Sequence, residues 1–90
     1  MTSLQTTTDR LSDLVRSKLG GAELQEFKLK DESSDERRYV VRWSREGGGI
    51  GRDEYGTHVA CLHDDGRSML VWGDYFRSER EALTSYEGRV

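Results

Sequence analysis

His58, Cys61 and His63 sit within six residues in the stretch HVACLH. Imidazole and thiolate are ligands for zinc or copper, so the first question is whether these three can converge. In an extended strand successive side chains point to opposite faces. His58 then faces away from Cys61 and His63, and those two lack a third ligand nearby. No metal site is expected. Ser78 and Glu81 pose a second question, a hydroxyl and a carboxylate three residues apart. A serine nucleophile needs a base to take its proton, and no histidine is near it in sequence. The same spacing is that of a capping box, in which the serine accepts an amide of the first helical turn and the glutamate reaches back. The pair is therefore read as a helix start. The glycine-rich GGGIG at 47–51 is followed by Arg52, Asp53 and Glu54 and leads into a strand. A phosphate loop needs a lysine and a helix N-terminus there. This segment reads as a connection, and no cofactor is expected.

His58, His63, Asp74 and Tyr75 remain as the one set that could line a small-ligand or enzyme pocket. Six aromatics, Tyr39, Trp43, Tyr55, Trp72, Tyr75 and Tyr86, could stack nucleic-acid bases. However, 14 basic against 17 acidic residues leave a net charge of −3 and no surplus to hold phosphates. Direct nucleic-acid binding is not expected.

These residues must be positioned by few elements. Residues 1–7 are threonine-rich and read as a flexible lead-in. Thr8 or Asp9 can cap a helix whose Leu11, Leu14, Val15 and Leu19 form one apolar stripe, and Gly20-Gly21 ends it. A strand follows at Glu23 to Lys30, with a change of parity between Leu24 and Phe27 that fits a bulge or a late start. DESSDE at 31–36 is a polar turn. Arg37 to Arg45 is a strand with Tyr39, Val41 and Trp43 on one face. Tyr55 to His63 and Arg67 to Tyr75 are strands joined at DDGR. Ala82, Leu83 and Tyr86 give the apolar side of a last short helix, ended by Gly88. The expected fold is α+β, one domain over residues 1–90. It has an N-terminal helix, a four-stranded antiparallel meander and a C-terminal helix, with both helices on one face.

If Asp65-Gly66 forms a two-residue turn, one face pairs Leu62 with Met69, Ala60 with Val71 and His58 with Gly73. The other pairs Cys61 with Leu70, Val59 with Trp72 and Thr57 with Asp74. Both faces are then apolar, whereas a sheet wet on one side alternates cleanly. Either a dimer mate, a partner protein or the lead-in covers the second face, or the central hairpin is twisted and tolerates a few exposed side chains. A single cysteine precludes an internal disulfide. The chain has no long apolar run and no signal-peptide pattern, so a cytoplasmic location and no membrane partner are expected.

In a meander the first and third turns lie at the same end of the sheet. That gathers Asp31, Glu32, Asp35, Glu36, Asp64 and Asp65 on one rim, partly offset by Lys30, Arg37, Arg38 and Arg67. Such a rim can dock on a basic surface, where complementary charge steers association, with Trp72 or Tyr75 as anchors. In size and acidic single-domain character the chain resembles the small anti-defence proteins of phages and mobile elements, anti-CRISPR inhibitors among them. That resemblance matches no family motif and transfers no functional residue. It implies stoichiometric inhibition of a host nucleic-acid-handling complex. The leading expectation is a non-enzymatic protein-binding module with a basic protein partner. Its rivals are a small-ligand domain or enzyme using His58, His63, Asp74 and Tyr75, and a self-associating structural dimer.

Overall fold

The structure, a computed structural model, describes residues 3–47 and 53–89, with side chains from Thr7 onward. Its elements are α1 (Ser3–Lys18), β1 (Glu23–Glu32), β2 (Glu36–Arg45), β3 (Glu54–His63), β4 (Ser68–Phe76) and α2 (Glu79–Arg89). The strands form one sheet in the order β1-β2-β3-β4, each pair antiparallel. The expected α+β meander between two helices is what forms. The expected parity change in β1 appears as a register shift between Leu24 and Glu26. Gly48–Gly51 of the glycine-rich stretch lie outside the described residues.

Helix α1 seats Leu11, Leu14, Val15 and Leu19 against the sheet, all buried. Gly20 and Gly21 have φ of 62° and 92°, and the Gly21 amide donates to the Arg16 carbonyl at 2.8 Å. Arg45 closes the helix end from outside, donating from Nη1 to the Leu19 carbonyl at 2.7 Å. The start differs from expectation. Residues 3–7 belong to the helix and are not a lead-in. Threonine lowers helix propensity, but extending a helix already seated by its stripe needs no new nucleus.

The placement of the helices also differs. The α1 stripe packs with Tyr39, Val41 and Trp43 of β2 and Ala60 and Leu62 of β3. Helix α2 reaches the other face. Ser85 Oγ lies 3.1 Å from Thr57 Oγ1, and Arg42 Nη1 donates to Glu79 at 3.3 Å. Arg42 and Thr57 are cross-strand partners that alternate with Val41, Trp43 and His58. The two helices therefore lie on opposite faces, not on one. The reason is in the central strands. Val40 and Val41 are both fully buried, as are Val59 and Ala60 nearly so, which requires cover on both sides. Helix α2 of the same chain, with Ala82 and Tyr86 buried, covers the centre of the second apolar face, while Met69 at its β4 edge stays exposed.

The β3–β4 hairpin corrects the expected turn. Its loop is three residues, Asp64-Asp65-Gly66. The His63 amide donates to the Arg67 carbonyl at 2.9 Å and the Gly66 amide to the His63 carbonyl at 3.1 Å. Gly66 takes φ 96°, the left-handed conformation that ends such a loop. The register beside the turn is consequently one residue off the expected one: Cys61 pairs with Met69, Ala60 with Leu70 and Val59 with Val71. An extra residue in β4 at Trp72-Gly73 then restores the expected alignment, with Thr57 opposite Asp74 and Gly56 opposite Tyr75. This is a β-bulge, and Trp72 at φ 50° is its left-handed residue. The slip turns Met69 and Val71 toward the α2 face and Leu70 toward α1.

Candidate functional site

The sheet brings most of the expected acidic rim together. The Asp64 amide donates to the Asp35 carbonyl at 2.9 Å, tying the third turn to the first. Glu36 stands opposite His63, whose Nε2 lies 3.3 Å from the Glu36 carboxylate. Arg37 bridges both turns, 3.1 Å from Glu32 and 3.3 Å from Asp64. These two carboxylates, Glu32 foremost, hold its guanidinium above the ordinary arginine range. Arg67 holds Asp65 at 2.7 Å, and its amide also donates to the Asp65 carboxylate at 3.0 Å. That amide bond, more than the guanidinium, pulls the Asp65 carboxyl below its usual range. Arg10 of α1 pins the hairpin end, donating to the carbonyls of His63 and Arg67 at 3.0 and 3.2 Å. Asp35, His63, Asp64, Asp65 and Arg67 line a shallow cleft of about 160 Å³. Asp31 sits one step back on the β1 edge opposite Arg38. Among the described residues, neither Asp31 nor Asp35 has a cation within ion-pair distance.

Lys30, counted with the rim in sequence, turns away. Its Nζ donates to the Arg89 carbonyl at the end of α2. Arg10 takes its place, a residue sequence spacing did not point to.

Trp72 and Tyr75 are not at the rim. Strands advance about 3.3 Å per residue, so Tyr75, eight residues beyond Arg67, lies roughly 26 Å along β4. Tyr75 instead packs edge-on against Trp43 and His58, ring centroids 5.4 and 5.6 Å away. Trp72 is 64 % exposed on the flank.

The four residues of the alternative ligand site divide as well. His58 and Tyr75 meet on the α1 face with Trp43. Asp74 faces α2, where Arg89 binds it at 2.5 Å. His63 belongs to the rim. His58 is buried, and its Nδ1 accepts from Trp43 Nε1–H at 3.0 Å. Its other nitrogen abuts Gly73: a Cβ added there would lie 2.2 Å from Nε2. The rings of Trp43, His58 and Tyr75 pack directly on one another. Cys61 lies on the face opposite His58, and burial foremost raises its thiol pKa. Among the described residues, no three His, Cys, Asp or Glu side chains are gathered closely enough to hold a metal ion.

The Ser78–Glu81 pair forms the helix cap. Ser78 Oγ accepts the Glu81 amide at 3.2 Å and lies 3.3 Å from its carboxylate. Among the described residues, no helix is long and apolar enough to cross a membrane. No family model, curated protein or solved structure matches the chain.

Proposed function

We propose that this chain is a non-enzymatic, cytoplasmic protein-binding module that docks its acidic rim on a basic, nucleic-acid-handling surface of a partner. The carrying observation is the Asp64–Asp35 backbone bond, which fastens two acidic turns into one end. Carboxylates on a rigid end lose little entropy on docking. Asp31 and Asp35 retain charge for a partner, while Arg37, Arg38 and Arg67 fix the geometry of the others. Trp72 offers an apolar anchor on the flank rather than at the rim centre. The mode of action suited to this surface is occupation: the chain excludes nucleic acid from the partner, as phage and mobile-element inhibitors of host CRISPR-type defence do.

The test is affinity capture from host lysate with the native chain and with the double variant Asp31→Lys, Asp35→Lys. This variant leaves every rim ion pair in place. The native chain is expected to retain a nucleic-acid-binding protein that competing nucleic acid releases. The variant should fold normally and bind at least about tenfold more weakly, and salt should weaken the native complex. A captured partner indifferent to both salt and the double reversal overturns the reading.

A further inference from the structure

His58 occupies the one place in β3 that faces the β4 bulge, between the pairs Thr57–Asp74 and Val59–Val71. Its imidazole is held from three sides. Trp43 donates to Nδ1 at 3.0 Å, Tyr75 meets the ring edge-on at 5.6 Å, and the Gly73 backbone closes on Nε2. An indole N–H can only donate. Nδ1 must therefore be bare and the ring hydrogen must sit on Nε2.

We propose that His58 is a proton-operated latch on β4: a proton added to Nδ1 ends the Trp43 hydrogen bond and frees the kinked stretch Trp72–Tyr75, so the flank carrying Trp72 rearranges in weak acid. Once Nδ1 carries a proton it faces the indole N–H, donor against donor, inside a packed cluster. The ring must turn or move, and the glycine contact and Tyr75 edge contact move with it. The bulge is the susceptible part, because Trp72 is already held at φ 50°, a conformation costly for a bulky side chain. The charged groups around the ring do not rescue the cation. Burial foremost, then Arg89 of α2, holds His58 below the ordinary histidine range, and Asp74 of β4 opposes this in part. Asp74 is itself engaged by Arg89. On the β2 side Arg45 lies over the Trp43 ring, 5.9 Å from its centroid. The α1 side chains in this cluster are apolar.

The test is a ¹⁵N NMR titration from about pH 7.5 to 4.5, a range spanning the histidine region, with far-UV circular dichroism in parallel. The Trp43 indole N–H and the amides of Trp72–Tyr75 should shift together at one midpoint below the ordinary histidine value, while the dichroism holds. His58→Gln supplies an amide oxygen for the indole and does not titrate, so its Trp43 signal should stay fixed. His63→Gln should titrate like the native chain. The proposal is overturned if the indole signal changes only with global loss of structure, or if the titration survives in His58→Gln. Should His58→Gln not fold, the native imidazole nitrogens decide. They must show the Nε2–H form at neutral pH and titrate with the Trp43 midpoint; any other result overturns the latch.

Discussion

Gly56 and Gly73 have no side chain because the cluster around His58 leaves no room for one. A Cβ on Gly56 would lie 2.4 Å from Trp43 Cζ2 and 2.7 Å from the Asp74 carbonyl oxygen. The second clash is with backbone, which cannot rotate away. Gly56→Ala is therefore expected to destabilise the chain by about 1–3 kcal/mol, the usual range for overpacking. Gly88 meets nothing within 4 Å and lies in α2. Gly88→Ala should instead stabilise by up to about 1 kcal/mol. Urea unfolding midpoints check the pair, and equal midpoints would contradict the packing described. His58 sets a pH dependence at the same scale. Its folded pKa lies below the unfolded value of about 6.5, so the native state binds fewer protons there. Its contribution to stability is complete above about pH 6.5 and falls as pH drops toward the folded pKa. Midpoints measured between about pH 7.5 and 5 should decline in the native chain and flatten in His58→Gln, apart from the slope of the other titrating groups.

At the scale of elements, α2 depends on its cap. Ser78→Ala should cost about 1 kcal/mol, read from thermal unfolding, because the Glu81 amide then has no partner within the chain. That cap was legible from S-x-x-E alone, as were the α1 stripe, its glycine stop and the four strands, since each is a local pattern of residue types. The rest was hidden for particular reasons. Asp65-Gly66 fits both a two-residue and a three-residue loop, because each places Gly66 at positive φ. The bulge at Trp72 has no sequence signal: tryptophan is an ordinary strand residue, and only its partner strand reveals the extra position. The side chosen by each helix was hidden because Val40-Val41 and Val59-Ala60 make both faces of the central strands apolar. The rim acids were located by topology alone, which is why they converge. Trp72 and Tyr75 were assigned by residue type, which carries no position along the strand. Trp72→Gly separates the roles of the bulge. It relieves the left-handed strain and removes an exposed ring, so stability should change by less than about 1 kcal/mol. Partner affinity should fall at least about tenfold if the ring is an anchor.

The whole molecule is a sheet sandwiched between two helices of unequal grip. Helix α1 carries three buried leucine and valine side chains, Leu11, Leu14 and Val15, with Leu19 buried just past its end, while α2 buries only Ala82 and Tyr86. At roughly 25 cal/mol per Å² of apolar surface, α2 is the more weakly held cover and the first expected to lift. Its face of the sheet contains a built-in reporter. Cys61 is 4 % exposed there, and burial suppresses its thiolate. In the native chain it should react with an aromatic disulfide reagent on the order of a hundredfold more slowly than in urea, since an opening free energy of about 3 kcal/mol already gives that factor. Ala82→Asp places a charge under α2 and should weaken its seating without touching the α1 cluster. In that variant the Cys61 rate should rise at least about tenfold, while the near-UV signal of Trp43 on the α1 face persists at low denaturant. Were Cys61 protection and the Trp43 signal lost together in a single step, the two faces would be one cooperative unit, and α2 would be as integral to the fold as α1.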